Sequence, residues 1–207
     1  MLVLASASPR RRELLAQAGF TFTVEPASIP EDVRPGESPE AYVTRLAREK
    51  AECVYTRLAA GGNDDLTVLG ADTTVVAPLG EILAKPESEA DAARMLRMLA
   101  GATHQVMTGL AIVTPLGMET AAEVTHVSMV TLSDEEIAAY VATGEPMDKA
   151  GAYGIQGYAG RWIPRIQGCY FNVMGLPLAL VSAMLEGTGR RSELAARSST
   201  GSSLLAD

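Results

Sequence analysis

The spacing of apolar residues sets out the elements before any single side chain suggests a chemistry. Leu2-Val3-Leu4-Ala5 is a short unbroken apolar run, as in a buried strand; polar Ser6-Ala7-Ser8-Pro9 follows, then Arg10 to Ala18 with Leu14, Leu15 and Ala18 at helical spacing. Gly19 closes that helix, Phe20 to Val24 predicts a second strand, and three prolines between Glu25 and Gly36 predict a loop. Ser38-Pro39 starts a long helix to about Ala60, with an apolar stripe of Tyr42, Val43, Leu46, Ala47, Val54 and Leu58, stopped by Gly61-Gly62-Asn63. Thr67 to Ala77 reads as a strand covered on both faces, and Leu79-Gly80 turns the chain into Glu81-Ile82-Leu83.

Ser88 caps the next helix, whose core face is Met95, Leu96 and Leu99 and whose end is Gly101. Gln105 to Thr114 and Glu123 to Leu132 predict antiparallel strands, and Ser133 with Glu136 forms a capping box for a helix to about Thr143. Gly144 to Gly160 is too rich in glycine to be regular; Arg161 to Ile166 then predicts a strand and Leu176 to Leu185 the last helix. From Gly187 the chain turns Ser-, Gly- and Arg-rich without a period, which predicts one domain over 1–187 and a loosely structured tail over 188–207. Strands mixed with helices throughout predict an α/β fold with a curved mixed β-sheet flanked by helices.

Composition narrows the picture. With 207 residues, 47% of them hydrophobic, the chain buries a core without staples, and Cys53 and Cys169 are too far apart in sequence to suggest a disulfide framework or a structural zinc site. No basic leader precedes Leu2 and no apolar run is long enough to cross a bilayer, so cytoplasmic residence is expected. A net charge of −8 opposes adhesion to nucleic acid or anionic membrane, so neither is expected as a partner. Basic clusters against that background stand out.

Four places conflict with a purely structural reading. In Ser8-Pro9-Arg10-Arg11-Arg12, Ser8 suits N-cap and Pro9 suits N1, and the arginines that follow crowd the positive end of the helix dipole. A phosphate chain in front of that terminus would relieve the conflict; a solvated basic turn pairing with Glu13 is the alternative. Asp72 interrupts an apolar strand and needs a metal ion, a cation or a water to polarise; a strand-end turn cap is the alternative. Lys50 lies on the apolar side of the long helix, seven residues after Val43, where it either meets a charge or snorkels. Lys85-Pro86 likewise suits a ligand contact or a turn. Lastly, Asp148 to Gly157 alternates glycines with larger residues, so the backbone can approach a ligand and Gln156 can offer its amide to a base edge; an ordinary surface loop is the alternative.

These segments together resemble the Maf-like nucleotide pyrophosphatases from Leu2 to about Leu185. The resemblance is carried by Leu4-Ala5-Ser6-Ala7-Ser8-Pro9-Arg10-Arg11, Leu46-Ala47-Arg48-Glu49-Lys50-Ala51, Gly70-Ala71-Asp72-Thr73, Lys85-Pro86, the run from Gly144 to Gly157, and Asn172-Val173-Met174-Gly175-Leu176-Pro177. It implies a Maf/ITPase-like architecture, with two lobes around a cleft, that hydrolyses a nucleoside triphosphate to the monophosphate and pyrophosphate. By resemblance the family's proton acceptor falls on Asp72, its acidic metal residue on Glu31, and its specificity positions on Arg11, Thr73 and Gln156. The Ala-Asp-Thr and Gly-Ile-Gln-Gly blocks look like the dTTP and UTP branch, with a sister branch preferring 7-methyl-GTP. Ala84 stands where a glycine is common.

Under this reading Ser8, Arg10, Arg11, Lys50 and Lys85 hold the phosphates, Mg²⁺ or Mn²⁺ bridges them, and Asp72 prepares the water. A homodimer is expected by resemblance. His104 and His126 are expected to be structural. The rival reading is a non-enzymatic nucleotide-binding regulator of cell division, which would need the cations but not a water-activating acid.

Overall fold

The computed structural model describes residues 1–62 and 65–201, with side chains described through residue 189. In chain order the elements are β1 (Leu2–Leu4), α1 (Pro9–Gln17), β2 (Thr23–Val24), α2 (Pro39–Ala59), β3 (Thr67–Val76), β4 (Ile82–Leu83) and α3 (Glu89–Leu99). After these come β5 (Thr103–Thr114), β6 (Gly117–Ser128), α4 (Asp134–Val141), three short 3-10 turns, β7 (Arg165–Gln167), α5 (Tyr170–Val173) and α6 (Leu178–Gly201). The sheet runs β2-β1-β3-β5-β6-β7, with β4 also on β3. β1 pairs in parallel with β2 and β3, and the remaining pairings are antiparallel. This is the mixed, helix-flanked α/β sheet that the sequence predicts.

The long strands pass through two differently covered regions. Leu69, Ala71, Leu110 and Ile112 pack with Leu14 and Leu15 of α1 and Val181 of α6, while Val68, Ala111 and Val113 on the opposite face pack with Ala47, Ala51 and Val54 of α2. Farther along, Val75, Val106 and Val127 join Leu96 and Leu99 of α3 and Ile137 and Tyr140 of α4. Asp72-Thr73-Thr74 lies where one covering ends and the next begins.

Where structure and sequence expectation differ, packing explains the difference. The strand expected over Phe20 to Val24 is ordered as strand only at Thr23–Val24, because Phe20 and Phe22 are spent against the α1 core. β6 starts at Gly117, not Glu123, and ends at Ser128: its first residues are exposed or half-buried and lack an apolar pattern, but buried β5 supplies their ladder. The strand expected over Arg161 to Ile166 begins later, since Trp162 closes a 3-10 turn and packs into the α3–α4 core. Helical backbone continues through Gly187 and Gly189 to Gly201, within the stretch where the tail is expected. Interior glycine costs a helix only about 1 kcal/mol relative to alanine and does not forbid one. Of the expected tail, 202–207 lies outside the described residues, as does Asn63 of the expected helix stop. Cys53 and Cys169 form no disulfide. No described helix is long and apolar enough to cross a membrane.

α2 meets the sheet backbone to backbone. A Cβ built on Gly70 would overlap the carbonyl oxygen of Ala47 and lie 2.9 Å from the Cβ of Ala51, and one on Gly109 would overlap the carbonyl of Val43. Gly70→Ala is therefore expected to lift α2 from the sheet and destabilise the fold by about 3 kcal/mol, the upper range for overpacking a core. Urea unfolding of the variant measures it, and a loss of under about 0.5 kcal/mol would show that the helix has room to move.

Candidate functional site

The changeover in the sheet opens into a cleft of about 640 Å³, within the usual range for small-molecule sites. Its lining includes every residue expected from the sequence: Ser8, Arg10, Arg11, Glu31, Lys50, Asp72, Thr73, Lys85 and Gln156. They play unequal parts.

Asp72 and Lys50 form the floor. Asp72 lies on the β3 face that α2 covers, opposite Gly109 in the β5 ladder, and Lys50 extends one turn beyond the helix contact at Ala47. Lys50 Nζ donates to Asp72 Oδ1 at 2.7 Å and contacts Glu31 Oε1 at 2.7 Å. Asp72 is only 7% exposed. Burial pushes its carboxyl above the usual aspartate range, against the opposing charges of Lys50 and Arg11. Glu31, by contrast, is more than half exposed. The Tyr42 hydroxyl donates to the Glu31 carbonyl at 2.9 Å and Arg45 Nη2 to the Asp32 carbonyl at 3.0 Å, which fixes the loop that brings Glu31 to Lys50. Arg45 is anchored in turn by Glu37, whose carboxyl its hydrogen bond holds down at about 2.

The α1 terminus is built as expected, with Ser8 at N-cap accepting from the Arg11 amide at 3.4 Å and Pro9 following. The Arg11 side chain, however, turns into the protein instead of out toward a phosphate chain. Its Nε donates to Gly175 O at 2.8 Å, its Nη1 to Ala71 O at 2.9 Å and Ser6 Oγ at 3.2 Å, and its Nη2 to Thr73 Oγ1 at 2.9 Å. A planar guanidinium with its donors engaged in this way is a brace. It fixes Thr73, whose hydroxyl also lies 2.9 Å from Thr108 Oγ1. Arg11 lies on the buried side of the first turn with Leu14 and Leu15.

Arg10 does cross the cleft. Its Nη1 donates to Asp148 Oδ2 at 2.7 Å and its Nη2 to the Asp148 carbonyl at 3.1 Å, while Lys149 Nζ donates to Asp148 Oδ1 at 2.6 Å and to the Glu145 carbonyl at 2.6 Å. Burial opposes ionisation of Asp148, but the bonds from Lys149 and Arg10 prevail and hold its carboxyl at about 2. Sequence reasoning connected only Gln156 of this segment to the site and missed Asp148 and Lys149; opposite charges side by side at the entry to a glycine-rich run were the available signal. Lys85 is exposed at the rim and makes no ion pair among the described residues. The Ala84 carbonyl accepts from the Gly151 amide at 3.2 Å.

The far wall is Tyr153, its hydroxyl 2.7 Å from His104 Nε2 beneath the cleft. Burial lowers His104 to about 4, so it is neutral near pH 7 and structural as expected. Gly151 (φ 68°) and fully buried Ala152 (φ 60°) are both left-handed. For alanine that conformation costs about 1–2 kcal/mol, strain concentrated at the cleft wall. Gln156 is exposed at the mouth.

Among the described residues no group of three or more His, Cys, Asp or Glu could by itself hold a metal ion. Glu31 and Asp72 nevertheless each bring an oxygen to within 2.7 Å of one point, the Lys50 ammonium. That point is already taken by the ammonium, so the side chain open to a hard divalent ion is the more exposed Glu31, and its oxygen chemistry fits a metal whose remaining ligands are phosphate and water oxygens.

Residues 1–188 match the family described as Maf-like protein. The chain is 54% identical over 188 residues to a dTTP/UTP pyrophosphatase of Koribacter versatilis, covering 91% of this chain and 94% of that one. It is 52% identical over 190 residues to a protein of the same description from Geobacter sulfurreducens, covering 91% and 96%. A third, from Hahella chejuensis, is 48% identical over 188 residues, covering 91% and 92%.

Lys50→Met leaves Asp72 buried beside Arg11 alone and is expected to cost about 3 kcal/mol at pH 7, as when one partner of a buried ion pair is removed. The folded-state pKa of Asp72 lies above its unfolded value, so the folded form takes up the proton first and the penalty shrinks as pH falls through that raised pKa. Chemical unfolding of native and variant protein between pH 7 and pH 4 tests this; a penalty constant with pH would place its origin in lost packing.

Proposed function

The chain belongs to the Maf-like protein family, and from that premise we propose that it hydrolyses nucleoside triphosphates, dTTP and UTP foremost, to the monophosphate and pyrophosphate. The observation that carries the reading is Asp72: a nearly buried carboxylate, its proton affinity raised, held on Lys50 at the floor of a cleft rimmed by Arg10, Lys85 and Lys149. A nucleotide-binding regulator needs the cations, whereas a desolvated carboxylate aimed at the same point is the equipment of a water-activating base.

In this mechanism the triphosphate lies along the basic side of the cleft, with Arg10, Lys50 and Lys85 holding its oxygens and the Ser8 turn at the α1 terminus favouring negative charge. Asp72 orients a water and takes its proton as the water oxygen bonds to the α-phosphorus. The bond from that phosphorus to the bridging oxygen breaks, and pyrophosphate departs with the electron pair against the cations. Lys50 keeps Asp72 ionised at the start. Mg²⁺ or Mn²⁺, which Glu31 would hold, would supply further neutralisation of phosphate charge. Gln156 offers both an amide donor and an acceptor to the edge of a pyrimidine, and Thr73, fixed by Arg11, shapes the seat. A cytoplasmic homodimer that clears surplus or non-canonical nucleotides completes the proposal.

Pyrophosphate release from dTTP, UTP, CTP, GTP and 7-methyl-GTP tests it. We expect dTTP and UTP to be preferred, EDTA to abolish turnover and Mg²⁺ or Mn²⁺ to restore it. Asp72→Asn should lower kcat by about 10²-fold or more, the usual yield of a positioned general base, with a small change in KM. Turnover of 7-methyl-GTP alone would keep the mechanism but overturn the assignment of Thr73 and Gln156 to a pyrimidine, and no turnover of any substrate would leave the regulator as the reading.

A further inference from the structure

Two of the rim cations are already holding an anionic group. Arg10, from α1, and Lys149, from the segment after α4, take one oxygen each of the Asp148 carboxylate, at 2.7 and 2.6 Å. Two charge-assisted bonds to two oxygens of one anion is also how a phosphoryl group is gripped. We propose that Asp148 is a built-in placeholder for the polyphosphate: its carboxylate occupies the Arg10–Lys149 grip in the free enzyme, gives it up to the incoming triphosphate, and retakes it as pyrophosphate leaves.

A purely architectural role would not need this carboxylate. Arg10 also donates to the Asp148 carbonyl at 3.1 Å and Lys149 to the Glu145 carbonyl at 2.6 Å, so backbone oxygens alone keep both cations in place. Those contacts survive if the side chain lets go. The side chains of Arg10 and Lys149 are 24% and 13% exposed, whereas that of Asp148 is 62% exposed, so the cations are fixed and the carboxylate has solvent to swing into. All three residues line the same cleft.

The chemistry gives the placeholder a use. Pyrophosphate carries much of the triphosphate's charge, and a cleft able to grip the substrate grips this product as well. A tethered carboxylate competes with the product at high local concentration and shortens its stay. It also weakens capture of substrate, the compromise expected where release limits turnover. Lys149 thereby becomes a phosphate-binding residue together with Arg10.

The inference rests on the cleft being a polyphosphate site, and direct binding separates the two. Calorimetric titration of the native protein and of Asp148→Asn with pyrophosphate in Mg²⁺ should show binding to both, about twofold to fivefold tighter in the variant, as expected for removing one exposed ion-pair competitor. Asp148→Ser, which cannot reproduce the carboxylate geometry, should do the same. Lys149→Met should weaken pyrophosphate binding by about tenfold. Binding by the native protein with unchanged or weaker affinity in both Asp148 variants would overturn the placeholder and leave the cleft assignment standing; no binding by the native protein would overturn both.

Discussion

The site depends on one contact, the seating of α2 directly on the sheet at Gly70 and Gly109. Helices normally stand off a sheet by the depth of the intervening side chains, but here the carbonyls of Val43 and Ala47 occupy the space a Cβ would take. Lys50 is the next inward-facing position along that helix after Ala47, and the close approach lets its ammonium reach Asp72 and Glu31 together. The same helix carries Tyr42 and Arg45, which hold the Glu31–Asp32 backbone. Burial pushes the Tyr42 phenol up to about 12, so it stays protonated and remains a donor. The position of one helix therefore sets the counter-charge of Asp72 and brings in the second carboxylate.

The cations of the cleft divide by what they have already bound. Arg11 is committed to backbone and hydroxyl oxygens and gives shape to the Thr73 seat. Lys50 is held by carboxylates, Arg10 and Lys149 by Asp148, and Lys85 by no ion-pair partner among the described residues. In a chain of net charge −8, an uncompensated cluster of cations would collect any passing anion. Three internal carboxylates, Glu31, Asp72 and Asp148, offset part of the charge of these five cations.

What could be read from the sequence was whatever broke a pattern. Asp72 in an apolar strand and Lys50 on an apolar helix face were visible because a charge in a buried period demands a partner, and each turned out to be the other's. Ser8, Pro9 and the Ser133–Glu136 box were visible because capping is local chemistry. Arg11 was legible as a residue of the site but not as a brace, since a helix start does not reveal which side of its first turn is buried. Asp148 and Lys149 sit in a stretch without a period, so no pattern existed for them to break. β6 was mislocated for a related reason: its first residues are strand only because β5 lies alongside. Long-range pairing leaves no trace in the periodicity of an exposed segment.

Both walls of the cleft are referred to the same strand. α2 rests on Gly70, and the loop that carries Lys149 and Tyr153 rests on Val75, whose side chain would lie within 2.9 Å of a Cβ on Gly151. That approach requires the left-handed backbone of Gly151 and Ala152, so the strain at Ala152 is the cost of bringing the second wall onto β3. Five residue steps at about 3.3 Å each, roughly 17 Å of extended chain, thus separate the two anchor points. Between those points β3 is laddered to β5 without a break, while β1 pairs its other edge only up to Leu69 and β4 only from Val75, so the ruler is held firmly on one side and open on the side of the cleft. With the walls fixed to it, opening and closing falls to side chains at the rim, and the most exposed of the charged groups that bridge the two walls is the carboxylate of Asp148.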